Sequence, residues 1–435
     1  MKRKMICKLL EWKEQKYRKP LILKGVRQCG KTYLLKQFGE KYYKNTAYFN
    51  FEESKHLKEI FEYDYDINRI VFELELILGK KIVEDETLII FDEIQECSNA
   101  ITSLKYFCEN APRLHIVCAG SLLGVALHSN YSFPVGKVDI LTLYPMDFSE
   151  FLLANGEKQL YDYMQNQSLE TRIPLSVGEK MKNYLKQYYI VGGMPEVVKS
   201  WINEKDISKI EEIQKLILDS YELDFAKHAP IKEFPKLTAI WRSIPEQLAK
   251  PNSKFIFSRV KKGSRSKDLE DALEWLISAG LIQKVCRIEK PFFPLSSYAD
   301  DTTFKLYLSD IGLLRRLSGL PAESIISSNS LYSEFKGALT ENYVLLELIK
   351  SIDDKVFYWT SGNLAEVDFV LQCKSYIIPI EVKSEKNRNS HSLTEYRKKY
   401  SPTYSVKTSM KETFGKGEVI HIPLFYISLL EDLIK

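Results

Sequence analysis

Gly25 and Gly30 enclose four residues and run straight into Lys31 and Thr32, directly after the apolar stretch Leu21-Ile22-Leu23. The segment Gly25-Val26-Arg27-Gln28-Cys29-Gly30-Lys31-Thr32 calls for a strand, a tight loop and the start of a helix, in that order. The glycines let successive backbone N–H groups turn toward phosphate oxygens. Lys31 reaches the outer phosphates, and the Thr32 hydroxyl stands where Mg²⁺ is held at a helix N-terminus. ATP and Mg²⁺ are therefore the expected ligands. The plain alternative, a chance glycine turn, is at odds with the strand before the loop and the helical pattern after it.

A nucleotide fold of this kind needs acids at the end of a neighbouring strand, and Leu88-Ile89-Ile90-Phe91-Asp92-Glu93 supplies them. Asp92 is expected to hold Mg²⁺ through water, and Glu93 to polarise the water that attacks the γ-phosphate. An acidic helix cap looks similar in isolation; the upstream phosphate loop favours the functional reading. A further apolar run, Ile116 to Ala119, leads into Gly120-Ser121. Ser121 either senses the γ-phosphate or belongs to an ordinary strand-end turn. Together with Pro20 to Lys24, Thr46 to Phe51, Thr87 to Phe91, Leu114 to Ala119 and Val138 to Leu143, these short apolar runs between amphipathic stretches predict buried parallel strands in an α/β layer.

The chain has 435 residues with a net charge of +4 and 45% hydrophobic residues. That excludes a disordered tail, a fibrous repeat and a highly charged nucleic-acid coat, and at ~100 to 200 residues per domain predicts two to four domains. The charge is uneven: 14 basic and 3 acidic residues in 1–50, but 5 basic and 14 acidic in 51–100. Seven cysteines, with no C-x-x-C pair, point to a reducing compartment, by default the cytoplasm. Glu11, Lys13 and Glu14 interrupt any signal-peptide core, and no window of ~18 apolar residues exists to span a membrane.

After Phe148 strand signals become rare. Ile210, Ile213, Leu216, Ile217 and Tyr221 recur at helical spacing, which predicts a helical subdomain. From Leu237 to Lys290 the order is helix, basic loop, amphipathic helix (Asp268 to Ser278), a Gly280 stop and a strand, Leu281 to Arg287; this suits a winged helix. Between Lys250 and Lys267 stand seven basic residues and no acid: Lys250, Lys254, Arg259, Lys261, Lys262, Arg265 and Lys267, with Phe255 and Phe257 among them. DNA contact and a merely solvated face are both open readings of this run. A second run, from Lys383 to Lys411, adds Lys386, Arg388, Arg397, Lys398 and Lys399. Tyr396, Tyr400 and Tyr404 read as a packing stripe rather than a base-stacking one.

With these residues in place the chain resembles bacterial and archaeal AAA-type ATPases that carry a C-terminal domain of uncharacterised or nuclease-like type. The resemblance rests on Lys24 to Thr32, Phe91-Asp92-Glu93-Ile94-Gln95, Ala119-Gly120-Ser121, Tyr144 to Phe151, Val191-Gly192-Gly193-Met194-Pro195-Glu196, Lys305 to Leu314 and Phe335 to Asn342, so it covers nearly the whole length. It implies that Gly192-Gly193 lies in a helical lid over the nucleotide; from the residues alone a turn and a gating hinge are equally open. Such proteins often show Gly-Arg before the Tyr-Pro segment, whereas this chain has Gly136-Lys137. No arginine finger is assigned at Lys137, and a homo-oligomer stays an open expectation.

Near the C-terminus, Glu366 to Leu371 and Tyr376 to Lys383 read as two strands joined by a short turn. Residues two apart share a strand face, so Glu366 goes with Asp368 and Glu381 with Lys383, while Glu341 lies upstream on an amphipathic helix, Leu339 to Ile349. Asp368 and Glu381 are hard carboxylates suited to Mg²⁺, and Lys383 is placed to position water, a route to phosphodiester cleavage. The order helix Glu, strand Asp, Glu-x-Lys resembles the restriction-endonuclease-like core, and a solvent-facing Glu381–Lys383 salt bridge is the plain alternative. The expected fold class is α/β: a P-loop parallel sheet (1–150) with a helical lid (151–230), a winged helix (231–325) and a restriction-endonuclease-like α/β domain (326–435). The expected activity is Mg²⁺-dependent ATP hydrolysis that controls a DNA-binding C-terminal half, with nuclease action, a non-cleaving switch and protein remodelling as the open ends.

Overall fold

The computed structural model describes residues 1–120, 133–250, 253–327, 330–352, 354–362, 364–384 and 391–434, and not the side chains of 330–334. Ser121, Lys386 and Arg388 lie outside the described residues. The chain forms two compact units, one of Lys2–Tyr144 with Ser278–Leu281 and one of Pro145–Ile277 with Ile282–Lys435.

The first unit is built on β1 (Leu21–Lys24), β2 (Asn45–Asn50), β3 (Thr87–Asp92), β4 (His115–Gly120) and β5 (Asp139–Thr142), in the order β2-β3-β4-β1-β5. Every neighbouring pair is parallel. Parallel strands need crossovers that cover both faces, and β3 and β4 are accordingly buried at every position. Their apolar runs are continuous for that reason. Phe49, Phe51, Phe61, Phe91 and Phe107 meet on one side of the sheet. At the carboxyl edge Lys24 stands level with Gly120 and Thr142, and Asp92 with Asn50. Gly25 directly follows β1 and Glu93 directly follows β3 at this edge.

The second unit opens with helices, among them Leu175–Val191, Pro195–Glu204 and Ile207–His228. Helices Phe234–Leu248, Phe257–Val260 and Ser266–Ser278 then lead into β6 (Ile282–Ile288) and β7 (Ala299–Leu308), an antiparallel pair. After the helix Ser330–Ser351 come β8 (Val356–Thr360), β9 (Glu366–Cys373), β10 (Tyr376–Val382), β11 (Val406–Ser409) and β12 (Ile420–Pro423). All seven strands share one sheet, in the order β12-β11-β10-β9-β8-β6-β7.

The sequence reading set boundaries near residues 230 and 325; in the structure the stretches on either side pack as one unit. The joint is the parallel pairing of Arg287 with Tyr358 and Ile288 with Trp359. An isolated two-strand pair leaves an edge of unpaired N–H and C=O groups, and β8 covers it. Trp359 and Val367 turn into a core with Leu393 and Tyr396. Among the described residues no helix is long and apolar enough to cross a membrane.

Candidate functional site

The loop after β1 is shaped by close approach and by handedness. A Cβ on Gly25 would stand 2.2 Å from the Leu143 carbonyl oxygen, so no larger residue fits. Gly30 has φ 92° and starts the helix Lys31–Tyr42; Gln28, at φ 63°, shares the left-handed conformation. Lys31 is buried and folds back over its own loop, donating to the carbonyls of Gly25 (2.8 Å) and Val26 (2.9 Å). Arg3 pins the loop from outside, with Nη1 on the Cys29 carbonyl (3.1 Å) and Nη2 on that of Tyr144 (2.6 Å). Thr32 follows in the first helical turn, half-buried.

Asp92 is buried at the end of β3, where the Tyr48 hydroxyl donates to Oδ2 (2.8 Å) and the Glu93 N–H to Oδ1 (3.1 Å). Burial, and then the bond to Asp92, raises the Tyr48 phenol well above its ordinary range. Lys36 Nζ lies 3.5 Å from the Tyr48 ring centroid. Glu93 sits at φ 48°, ψ 42°, a left-handed conformation that costs a non-glycine residue about 1–3 kcal/mol and recurs at functional positions. Its Oε2 accepts from Gln95 Nε2 at 2.6 Å. The Thr32 hydroxyl and the Asp92 carboxylate are hard oxygen donors, so the residues present fit Mg²⁺. Lys137 forms an ion pair with Glu109 (2.9 Å) inside the same unit.

A second charged cluster lies in the sheet of the other unit. Along β9 the half-buried Glu366 and Asp368 alternate with the buried Val367, which puts both acids on one face. The antiparallel register that pairs Ile380 with Phe369 sets Glu381 beside Asp368, and the Val382 N–H donates to Asp368 Oδ2 at 2.7 Å. Lys383 forms an ion pair with Glu381 Oε1, while Glu381 Oε2 is buried with no hydrogen-bond partner. The helix Ser330–Ser351 adds Glu341, which accepts from the Tyr307 hydroxyl at 3.3 Å. Lys305 of β7, with a fully buried side chain, places Nζ 2.6 Å from Glu366 Oε1 and 3.7 Å from Glu341 Oε2.

Burial drives the titration of this cluster. It pushes Glu341 up to about 7, with Lys305 opposing, and Glu381 up to about 7, with Asp368 adding to the shift and Lys383 opposing it. Asp368 rises for the same reason against Lys305 and Lys383. Burial would strip the proton from Lys305, but Tyr307, Glu341, Glu366 and Asp368 surround it and hold its pKa well above the ordinary value. The orphaned Glu381 oxygen and the hard carboxylate donors fit a divalent cation. Among the described residues no group of three or more His, Cys, Asp or Glu is arranged around a metal position, so the fit rests on the pair Asp368 and Glu381.

Residues 17–152 match a protein family described as "AAA domain". The first unit thus carries an AAA-type ATPase domain. Residues 182–324 and 336–425 match two families described as domains of unknown function, DUF8612 and DUF4143. An uncharacterized protein of Methanocaldococcus jannaschii is 24% identical over 368 residues, covering 80% of this chain and 71% of that protein. The Walker-type ATPase of Pyrococcus abyssi is 17% identical with a TM-score of 0.46, covering 73% of this chain and 95% of that one. AMPPCP-bound DnaA from Aquifex aeolicus is 12% identical with a TM-score of 0.25, covering 63% and 87%.

Beyond the AAA domain the structure sorts the remaining candidates. The Gly192-Gly193 pair is a close-packed joint: Gly193 N–H donates to the buried Asp310 at 2.6 Å, and a Cβ on Gly193 would stand 2.1 Å from the Met146 carbonyl oxygen. Asp310 also caps the helix Ile311–Leu317 through the Leu313 N–H. The seven basic residues from Lys250 to Lys267 are all exposed. Phe255, by contrast, is buried and stacks on Phe304, with Phe257 edge-on to both, so these rings serve the core. Tyr396 and Tyr400 pack against Trp359, and Tyr404 against Tyr376. Of the second basic run, Arg397 pairs with Glu418 and Lys398 with Glu395. Sequence reasoning missed Arg3, Tyr48 and Lys305 as members of these sites. Only Lys305 left a signal, a lone cation inside the apolar run Phe304 to Leu308.

Proposed function

We propose that the chain is a Mg²⁺-dependent ATPase whose nucleotide state governs a DNA-binding second unit able to cleave phosphodiesters. In the AAA domain the loop amides and Lys31 bind the phosphates, Thr32 and Asp92 hold Mg²⁺, and Glu93 orients and deprotonates the attacking water. Mg²⁺ supplies charge neutralisation on the phosphates. In the second unit, the three helices before the β6–β7 pair support a winged-helix reading, with Ser266–Ser278 as the groove-facing helix. The order Glu341, Asp368, Glu381, Lys383 supports a restriction-endonuclease-like reading of the sheet, with Lys383 positioning the attacking water.

The observation that carries the nucleic-acid half is a cavity of about 360 Å³ lined by Lys254, Arg287, Tyr358, Thr360, Glu366 and Ser392 among others. Its wall sets Lys254 and Arg287 across from Glu366, the outer member of the carboxylate cluster, so cations suited to phosphate stand at the edge of that cluster, while Asp368, Glu381 and Lys383 do not line it. The test is cleavage of supercoiled and single-stranded DNA with Mg²⁺ or Mn²⁺, in wild type, Asp368→Ala and Lys383→Ala. Metal-dependent nicking that both substitutions abolish is expected; its absence in every nucleotide state would overturn the nuclease half. Lys261→Glu with Lys262→Glu is expected to weaken DNA binding and flatten its salt dependence.

A non-cleaving switch is favoured by one observation, the direct pairing of Lys383 with Glu381. In that case DNA binding follows nucleotide state while no strand is cut.

A further inference from the structure

Two of the four acids in the cluster lie directly against Lys305, and Asp368 also feels its charge. Glu341 and Glu366 come from a helix and a strand, and both turn to Lys305, whose ammonium lies 3.7 Å and 2.6 Å from them. Asp368 and Glu381 are the other two acids, and Glu381 Oε2 is buried and unpartnered although Glu381 Oε1 is held by Lys383. Lys305 itself has no exposed side-chain surface, and its Nζ also stands 5.0 Å from the centre of the Tyr358 ring. A buried ammonium this enclosed is retained only where it is matched by anions.

The cluster therefore has a cation of its own. Lys383 pairs with Glu381 Oε1, and Lys407 of β11 stands level with Glu381 in the parallel register, yet Glu381 Oε2 keeps no partner. The unpaired oxygen is on the Asp368–Glu381 side, where a divalent ion fits.

We propose that Lys305 is a built-in counter-cation that takes up Glu341 and Glu366 and so limits the cluster to one exchangeable divalent cation, held by Asp368 and Glu381. Lys305 acts here as a positioning residue, through the acids it neutralises. The inference rests on the metal site of the nuclease reading but not on cleavage itself.

The test is Mn²⁺ binding to the full-length, nucleotide-free chain, followed by electron paramagnetic resonance. Wild type is expected to bind one equivalent that disappears in Asp368→Asn. Lys305→Gln is expected to bind a second equivalent, or to tighten the first by tenfold or more, because a positive charge has left the site. Lys305→Arg should keep wild-type stoichiometry. Should Lys305→Gln fail to fold, as judged by circular dichroism, Glu366→Gln gives the same information: the freed positive charge should weaken Mn²⁺ binding roughly tenfold. Wild-type stoichiometry and affinity in a folded Lys305→Gln, unchanged affinity in Glu366→Gln, or no Asp368-dependent equivalent in wild type would each overturn the proposal. Normal Mn²⁺ binding without DNA cleavage would instead sink the nuclease reading and leave this one standing.

Discussion

At the phosphate loop, Lys31 is held by the carbonyls of Gly25 and Val26, five and six residues away in its own loop. At the carboxylate cluster, Lys305 is held by acids from a helix and another strand, Glu341 and Glu366. The first arrangement is local: once β1 and the following helix form, two carbonyls are in place, and phosphate oxygens can replace them at little cost. The second exists only after the strands β6 to β9 and a long helix have packed, and its lysine cannot leave without stranding buried carboxylates. On the proposed reading, the first region exchanges a ligand. The other holds charge in a fixed arrangement and leaves one carboxylate oxygen open.

The widest separation between the regions should come from removing their working groups. Lys31→Ala and Glu93→Gln are expected to lower ATP turnover by a factor on the order of 10² to 10⁴, since each removes a group that acts on the reacting phosphate or its attacking water. Thermal stability should scarcely change in Glu93→Gln, because the left-handed backbone is no better or worse for Gln. Full turnover in either variant, measured by phosphate release, would show that the loop's local geometry is not a hydrolytic site.

Gly25 and Gly193 offer the next contrast. Each leaves no room for a Cβ, which would stand 2.2 Å and 2.1 Å from a backbone oxygen respectively. Alanine at either position should destabilise its own unit by about 3 kcal/mol, since the backbone must shift to relieve the overlap. Gly25→Ala should in addition weaken nucleotide binding. Denaturant melts with and without ATP distinguish a joint that only packs from a loop that also binds.

What could be read from the residues follows the same division between local and assembled. The five parallel strands were legible because β3 and β4, covered on both faces, show uninterrupted apolar runs. The loop motif from Gly25 to Thr32 was legible because its residues are contiguous in sequence. The pairing of Asp368 with Glu381 followed from strand periodicity once a hairpin was assumed. Lys305 was not legible as a site residue, because β7 reaches β9 only through a sheet that crosses the expected boundary near residue 325. Tyr48 was hidden for a related reason: it meets Asp92 through the parallel pairing of β2 with β3, and pairing partners are not written in either strand. Phe255 and Phe257 looked available to a ligand only because Phe304, the ring that occupies them, lies on another element.

The titration of the second region gives a prediction of intermediate size. Glu341 and Glu381 have folded-state pKa values raised to about 7, above an ordinary value near 4.3. Between these limits the folded chain binds more protons than the unfolded chain, so the stability they contribute is complete below pH ~4 and is lost as pH rises through 7. Each carboxyl adds a slope of up to about 1.4 kcal/mol per pH unit within that window. In the first unit His115 works in the opposite sense: burial pushes it down to about 4, so its contribution is lost as pH falls from about 6.5 toward 4. Urea melts from pH 5 to 8 should show a shallower decline for Glu381→Gln than for wild type. An unchanged slope would mean that this carboxyl is already ionised across the range.

The smallest effect expected concerns Tyr48, and it bears on how local the phosphate site really is. Tyr48 donates to the buried Asp92 carboxylate from a neighbouring strand, so the geometry of the proposed metal-holding carboxylate depends partly on strand pairing rather than on the loop. Asp92 keeps a second donor, the Glu93 N–H at 3.1 Å, and for that reason Tyr48→Phe should not unfold the domain or abolish turnover. It should raise the Mg²⁺ concentration for half-maximal ATPase activity about tenfold, the low end for an outer hydrogen bond on a metal-holding carboxylate. The apparent affinity for ATP at saturating Mg²⁺ should hold, since Lys31 and the loop amides are untouched. A loss of ATP affinity with no change in Mg²⁺ requirement would reassign Tyr48 to nucleotide contact, whereas no change in either would leave the Glu93 N–H as sufficient support and make the site as local as its motif.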